Sequence, residues 1–182
     1  YLPRLVIPML PELLSNGVCS LQEDVPRFVK SVFITYDGLG RVMGHRYHRS
    51  LIRSNKRLTY LEAQGLIDGD IDKAAKNTRA TPRYTDELQE ALRACETLAK
   101  LIRQGRRVDG MLTLSLPESE IVFNEEGKVV DAVPEDDAFT HTVIEMFMVA
   151  ANEAVADLFA TLQIPLLRRI HPDPDYNDLE NL

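Results

Sequence analysis

The sequence predicts an α+β fold in which helices pack on a mostly antiparallel or mixed sheet. Residues 27–36 and 42–53 are rich in β-branched and aromatic residues, and the turn sequence Asp37 to Gly40 separates them, as in a β-hairpin. Apolar residues recur at three- and four-residue steps over 85–104, which indicates an amphipathic helix. Because strands and helices are mixed without strict alternation, an α+β arrangement is favoured.

The first third of the chain has weaker signals. Residues 1–21 contain three prolines and the turn sequence Ser15 to Gly17, so we expect an extended, irregular segment with a turn. Short helical turns are expected between Tyr60 and Lys76, broken around Gly65 and Gly69.

Short strands are expected after the amphipathic helix, which Gly105 should end. The predicted strands lie near 110–116, 119–123, 128–133 and 165–170. The remaining residues, 172–182, form a polar tail with little to bury, a composition typical of disorder.

The sequence predicts a long helix over residues 138–160, which is apolar nearly all round and therefore expected to be buried. His141, Glu145 and Asn152 share one stripe of this helix, at positions i, i+4 and i+11. A buried carboxylate must be paired, hydrogen-bonded or protonated. Two interpretations of Glu145 stay open: a buried salt bridge with an arginine, or a polar stripe that faces a substrate cavity.

The net charge of −7 argues against a general nucleic-acid binder. The charge is uneven, however, because no acid occurs between Asp37 and Glu62. That stretch interleaves two tyrosines with six cations, namely Arg41, Arg46, Arg49, Arg53, Lys56 and Arg57. It is either an RNA-contacting surface or a solvated hairpin face.

No stretch approaches 18 continuous apolar residues, which excludes a transmembrane helix and a membrane partner. Cys19 and Cys95 lack metal-ligand or redox spacing, so we expect free, buried thiols and a reducing, cytoplasmic location. His45 and His48 would point to opposite faces of a strand and cannot share a metal. The acidic run Asp68 to Asp72 lacks the glycine and glutamate of a calcium loop, so a helix N-cap is favoured. Capping is also favoured for Glu135 to Asp137.

Several segments match the motifs of one known family in that family's order. They are Tyr1-Leu2-Pro3, residues 7–21 (IPMLPELLSNGVCSL), Ile52-Arg53-Ser54 with residues 57–60, residues 110–118, residues 141–154 and Arg169-Ile170-His171. Together they resemble the catalytic (RNB) domain of the ribonuclease II/ribonuclease R exoribonucleases. The resemblance implies that residues 1–171 are part of such a domain, within an internal fragment of a longer protein.

The resemblance implies a hydrolytic, processive 3′–5′ exoribonuclease that degrades single-stranded RNA from its 3′ end to nucleoside 5′-monophosphates. In this family two magnesium ions activate water and hold the leaving oxygen. The aspartates that bind them lie shortly before the segment that begins at Tyr1. We therefore expect no catalytic residue and no metal ligand in this chain, and no activity from the chain alone.

Four positions of the chain match family residues that contact RNA. Tyr1 matches a tyrosine that stacks on the terminal bases, and Tyr60 and Glu145 match residues linked to recognising ribose over deoxyribose. Leu114 falls where many members place a phenylalanine that closes the base clamp, so this chain departs from the two-sided aromatic clamp. Tyr60, Glu145 and the strand of Leu114 are expected to line one cavity, with Tyr1 at its edge.

The cations Arg53, Lys56 and Arg57 precede Tyr60 and are candidates for phosphate contacts. One alternative function is a catalytically inactive RNB-like protein that binds RNA. Another is an interaction protein that keeps only the fold, but the retained Tyr1, Tyr60 and Glu145 count against it. The oligomeric state is not predicted by the sequence.

Overall fold

A computed structural model describes residues 5–113, 119–134, 136–170 and 172. After a short helical segment, Leu13–Val18, its elements are β1 (Pro26–Tyr36), β2 (Val42–Arg53), α1 (Tyr60–Asp68), α2 (Ile71–Lys76), α3 (Asp86–Val108), β3 (Ser119–Phe123), β4 (Val129–Pro134) and α4 (Phe139–Thr161). The strands form two antiparallel hairpins, β1–β2 and β3–β4. The predicted α+β class is confirmed.

The β1–β2 hairpin forms as predicted, in continuous register from the Pro26–Arg53 pair to the Thr35–Gly44 pair. Asp37 organises its turn, because its carboxylate accepts hydrogen bonds from the backbone N–H groups of Leu39 and Arg41 at 2.8 and 2.9 Å. Gly40 has a φ of +78°, and a Cβ there would lie 3.0 Å from the backbone of Leu101. The turn thus sits directly against α3 and requires glycine.

The expected break at Gly65 is wrong, because α1 continues through it to Asp68. A Cβ on Gly65 would lie 2.7 Å from the backbone nitrogen of Ala74, so this glycine lets α2 approach closely. The expected break at Gly69 is confirmed by its φ of +79°. Asp70 then caps α2 by accepting a 2.8 Å hydrogen bond from the Lys73 N–H, as predicted.

The sequence suggested that α3 ends at Gly105, but the helix continues to Val108. Gly110 is the residue that terminates it, with a φ of +101°. The turn is closed by the Met111 N–H, which donates to the Arg106 carbonyl at 2.8 Å. The left-handed residue that ends the helix thus lies five positions beyond the first glycine available.

The core lies between α3 and α4, where Ala99 and Ile102 pack against Val143 and Met146. The first hairpin joins it through Tyr36 and through a hydrogen bond from the Tyr47 hydroxyl to a carbonyl of α4. Neither cysteine is in a disulfide, but the expected burial is wrong for Cys19, which is exposed, and Cys95 is only partly buried. Among the helices of the described segments, none is long and apolar enough to cross a membrane.

Helix α4 is confirmed, but its expected burial nearly all round is wrong. Its buried residues, Thr140, Val143, Met146, Ala150 and Ala154, follow one side of the helix. On other sides Ile144 is 44% exposed and Met148 is 61% exposed. Only one side of α4 packs on α1, α3 and β1, so the apolar residues elsewhere remain in solvent.

Two of the four later strands are confirmed as β3 and β4. Residues 111–113 are irregular, and the rest of the strand expected over 110–116 falls largely outside the described residues. The strand expected over 165–170 is wrong. That segment is irregular because, within the described ranges, no backbone pairs with it.

Candidate functional site

A cleft of about 990 Å³ opens between the first turn of α1, the beginning of α4 and the loop that precedes α3. Tyr60 lies at its mouth with 42% of its surface exposed. Val143 and Ile144 of α4 form one wall, and Leu92 of α3 contributes apolar surface below them. The cleft is therefore partly apolar, with an aromatic ring at its entrance.

The Tyr60 ring is held on one side by His141. The two rings stack with centroids 3.8 Å apart and planes 27° apart. His141 Nε2 lies 2.9 Å from Asp136 Oδ1, and the Thr140 hydroxyl donates a 2.9 Å hydrogen bond to the Tyr60 carbonyl. Tyr60 is thus held by a ring contact on one face and by a backbone hydrogen bond, while 42% of its surface stays exposed.

Glu145 is exposed, which corrects the expectation of a buried carboxylate. It lies one turn after His141, on the side of α4 opposite Val143 and Met146, so the polar stripe faces outward. Glu145 forms no ion pair with any residue that the structure describes, so the predicted buried salt bridge is also wrong. Tyr60 lines the cleft and Glu145 does not, so the expectation that these two residues line one cavity is wrong.

The other two RNA-contact candidates, Tyr1 and Leu114, lie outside the described residues. The expectation that they share a cavity with Tyr60 therefore stays a prediction.

The three cations proposed for phosphate contacts have different environments. The Lys56 side chain is only 3% exposed, with Nζ 3.3 Å from Glu23 Oε2 and 3.0 Å from the Thr81 carbonyl oxygen. Arg57 is exposed, and its side chain lines the cleft. Arg53 is exposed at the open end of the hairpin, away from the cleft lining. Lys56 thus stabilises the loops, and Arg57 is the cation placed to meet a ligand.

Two further arginines, Arg79 and Arg83, line the same cleft and were not predicted from the sequence. Arg83 Nη2 lies 3.1 Å from Glu23 Oε1 and 3.5 Å from Asp24 Oδ2. The hydrogen bond that the Arg57 N–H donates to Glu23, together with nearby Lys56 and Arg83, lowers the pKa of the Glu23 carboxyl. No local spacing signals these arginines, because tertiary packing brings their loop to the cleft.

Glu62 is a second residue that sequence reasoning missed. It lies on the cleft wall, is fully buried and accepts hydrogen bonds from the Tyr84 hydroxyl at 2.8 Å and the Thr59 N–H at 3.2 Å. Burial and the bond to this carboxylate raise the pKa of Tyr84 to about 12. Thr59 in turn accepts from the Glu62 N–H, which completes a capping box. The Thr59-x-x-Glu62 spacing was the available signal.

The described part of the chain contains no group of three His, Cys, Asp or Glu side chains that could hold a metal ion. Asp136, from the acidic run before α4, accepts a 3.2 Å hydrogen bond from the Ala138 N–H. Ala138 is itself the N-cap residue of α4, and no side chain that the structure describes caps the helix there, so the expected capping by this run is wrong. The cleft therefore offers an aromatic ring and three arginines. These groups suit recognition of a sugar–phosphate chain with attached bases.

Comparisons with known proteins agree on one family. The family model described as the RNB domain matches residues 1–182. Ribonuclease R of Aquifex aeolicus is 35% identical over 182 residues, which are 100% of this chain and 25% of that relative. Ribonuclease R of Mycoplasmopsis pulmonis is 34% identical over 179 residues, 98% of this chain and 23% of that relative. The chain thus spans about a quarter of the length of these relatives.

The fold is similar to that of ribonuclease R from Mycoplasma genitalium. Its apo structure superposes with a TM-score of 0.86 at 31% identity, covering 99% of this chain and 27% of that one. The same enzyme has been solved with ribose-methylated single-stranded RNA and with double-stranded RNA. A match to the whole sequence, supported by the fold, shows that this chain belongs to the RNB domain family.

Proposed function

We propose that this chain is part of a hydrolytic, processive 3′–5′ exoribonuclease, and that the cleft at Tyr60 receives the 3′ end of single-stranded RNA. The observation that carries the proposal is the half-exposed Tyr60 ring, stacked on His141 and lining a cleft that three arginines also line. The ribonuclease R relatives support it, and so does the single-stranded RNA bound by the Mycoplasma genitalium enzyme.

Glu145 and Tyr60 are proposed to select ribose. The 2′-hydroxyl both donates and accepts a hydrogen bond, and it is the group that distinguishes RNA from DNA. Glu145 has no ion-pair partner among the residues that the structure describes, so its carboxylate is available to accept from a 2′-hydroxyl. Loss of one hydrogen bond to a charged group costs about 1.5–3 kcal/mol, which corresponds to roughly tenfold to a hundredfold in discrimination.

Arg57 is proposed to hold a phosphate next to the selected sugar. Arg57 is exposed and lines the cleft. The Glu23 carboxylate accepts a hydrogen bond from the Arg57 backbone N–H, and it forms its ion pairs with Lys56 and Arg83. The Arg57 guanidinium therefore remains available for bidentate phosphate binding.

Hydrolysis would use the magnesium ions that family resemblance implies. The residues of this chain that the structure describes do not fit such a site, because no three acidic or imidazole ligands converge. We propose that the metal ligands lie outside this chain. The isolated chain should accordingly release no mononucleotides from a 3′-overhang RNA with magnesium on a denaturing gel. Mononucleotide release by the pure chain would contradict this proposal.

Ribose selection can be tested in the full-length protein that contains this chain. Initial rates are measured on an RNA and on the same RNA with deoxyribose at its last positions. Glu145→Ala and Tyr60→Phe should each lower the ratio of the rate on the RNA to the rate on the deoxyribose-ended substrate by about tenfold or more. Glu153→Ala is the matched control, because Glu153 is also exposed on α4 but pairs with Arg106, away from the cleft.

Loss of RNA activity in both variants with an unchanged ratio would show that the two residues are structural or catalytic and not selectors. RNA binding without degradation by the wild-type full-length protein would support the alternative of a catalytically inactive RNA-binding relative.

A further inference from the structure

We infer that His141 is a positioning residue that fixes the Tyr60 ring for recognition of the terminal ribose, with Asp136 orienting the imidazole. The inference rests on the proposed role of Tyr60 and extends it to two side chains that do not themselves line the cleft. It is carried by two contacts: the 3.8 Å stack of His141 on Tyr60 and the 2.9 Å approach of His141 Nε2 to Asp136 Oδ1.

The geometry restricts the Tyr60 ring in a specific way. With one face covered at van der Waals distance, the ring cannot turn toward His141. Asp136 is itself anchored, because the same Oδ1 accepts from the backbone N–H of Ala138 at the start of α4. Asp136, His141 and Tyr60 therefore form a chain of contacts that runs from the α4 backbone to the tyrosine ring.

The contact between His141 and Asp136 contributes little to the hydrophobic core. His141 Nε2 reaches its partner at the surface, with about a third of each side chain exposed, while the core residues Val143 and Met146 lie on another side of α4. The Tyr60 backbone has a separate anchor, since its carbonyl accepts from the Thr140 hydroxyl. Loss of the imidazole should therefore free the tyrosine ring without displacing α1.

The test uses a matched pair of variants, His141→Phe and His141→Leu, in the full-length protein. Both remove the contact with Asp136 and keep an apolar side chain of moderate size, but only phenylalanine keeps an aromatic face against Tyr60. An aromatic pair of this kind is worth about threefold to tenfold in an equilibrium constant. Affinity is measured by fluorescence anisotropy with magnesium withheld, using 5′-labelled oligonucleotides that end in ribose or in deoxyribose.

We expect His141→Leu to weaken binding of the ribose-ended RNA by about threefold to tenfold, and to weaken the deoxyribose-ended one less. His141→Phe should retain most of the wild-type ratio. Asp136→Ala should lower the ratio by about twofold, because the imidazole keeps its stack but loses its orientation. In activity assays the effect should appear mainly in KM, since no reacting atom is touched.

Equal ribose-to-deoxyribose ratios for the leucine and phenylalanine variants, at whatever level, would overturn the inference. Thermal unfolding of both variants should remain close to wild type, and Tyr60→Ala serves as the reference. If Tyr60→Ala leaves the ratio unchanged, the proposed function of Tyr60 fails. If Tyr60→Ala lowers the ratio and His141→Leu does not, only the positioning role of His141 fails.

Discussion

Two glutamates near the same cleft have opposite environments. Glu62 in α1 is fully buried, and each of its oxygens accepts a hydrogen bond, one from Tyr84 and one from Thr59. Glu145 in α4 is exposed and without an ion-pair partner in the described segments. The first carboxylate has its hydrogen-bonding capacity used within the protein, whereas the second is available to a ligand. The contrast separates a residue that builds the cleft wall from one whose carboxylate is exposed on the surface of α4.

The adjacent cations Lys56 and Arg57 also have different environments. The Lys56 side chain is almost fully buried and paired with Glu23, while Arg57 is exposed and lines the cleft. Neighbours in sequence thus have different roles, because the backbone N–H of Arg57 and the ammonium of Lys56 bind the same carboxylate. A basic run alone does not reveal which of its members faces a ligand.

The largest expected effect is that of Glu62→Ala. The Tyr84 hydroxyl and the Thr59 N–H would lose their acceptor inside the protein, and a cavity would remain, so the free energy of unfolding should fall by about 2–4 kcal/mol. Glu145→Ala, the matched exposed carboxylate, should change it by less than about 0.5 kcal/mol. Urea unfolding of the wild type, Glu62→Ala and Glu145→Ala measures both changes in free energy. Similar losses for the two variants would contradict the different roles of Glu62 and Glu145.

Much of the fold could be predicted because local patterns determined it. The hairpin around Asp37 has strand-forming residues on both sides of a strong turn, and α3 has a clear apolar stripe. Two glycines gave wrong boundaries. Gly65 lies inside α1, where the absence of a side chain lets α2 approach closely. Gly105 lies inside α3 because Gly110 supplies the left-handed residue that ends the helix. These outcomes depend on neighbouring elements that a local pattern does not contain.

The candidate site was harder to predict, and the reason is packing direction. The apolar composition of α4 suggested a buried Glu145, but composition does not specify which side of a helix meets its neighbours. The contact between Tyr60 and His141 joins residues 81 positions apart, and the arginines of the cleft come from a loop without a recognisable motif. Tyr60 itself was identified through family resemblance and not through its local sequence.

A smaller effect is expected for Tyr84→Phe, which removes the hydroxyl that donates to Glu62. We expect a loss of about 1.5–3 kcal/mol near neutral pH, the usual cost of one hydrogen bond to a charged group, since the carboxylate keeps its bond from Thr59. The loss should depend on pH. Burial and the Glu62 bond raise the pKa of Tyr84 to about 12, whereas an unfolded tyrosine titrates near its ordinary value of 10.0.

The sign of this dependence follows from proton binding. Between the two pKa values the folded state keeps the phenolic proton that the unfolded state has lost, so the stabilisation is complete below pH 10 and is lost as the pH rises toward 12. The difference in unfolding free energy between wild type and Tyr84→Phe should therefore shrink above pH 10. Urea unfolding of both proteins at pH 8, 9, 10 and 11 measures it, and a constant difference would contradict the raised pKa.

The smallest expected effect distinguishes Arg57 from Lys56. Arg57→Ala should leave thermal unfolding nearly unchanged, because its exposed side chain has no ion-pair partner in the part of the chain that the structure describes. If the guanidinium holds one RNA phosphate, its loss should weaken binding to ribose- and deoxyribose-ended strands alike. It should also reduce the slope of log K against log salt by about 0.7, the value for one phosphate contact on a single strand.

Lys56→Ala should do the reverse, lowering the unfolding temperature while leaving the salt slope at its wild-type value, because its ammonium is already bound to Glu23 and the Thr81 carbonyl. Salt titrations of RNA affinity and thermal unfolding of the two variants provide the comparison. A reduced salt slope for Lys56→Ala with normal stability would mean that Lys56 leaves Glu23 to bind RNA. The distinction between a cation used by the fold and one available to the ligand would then be wrong at this pair.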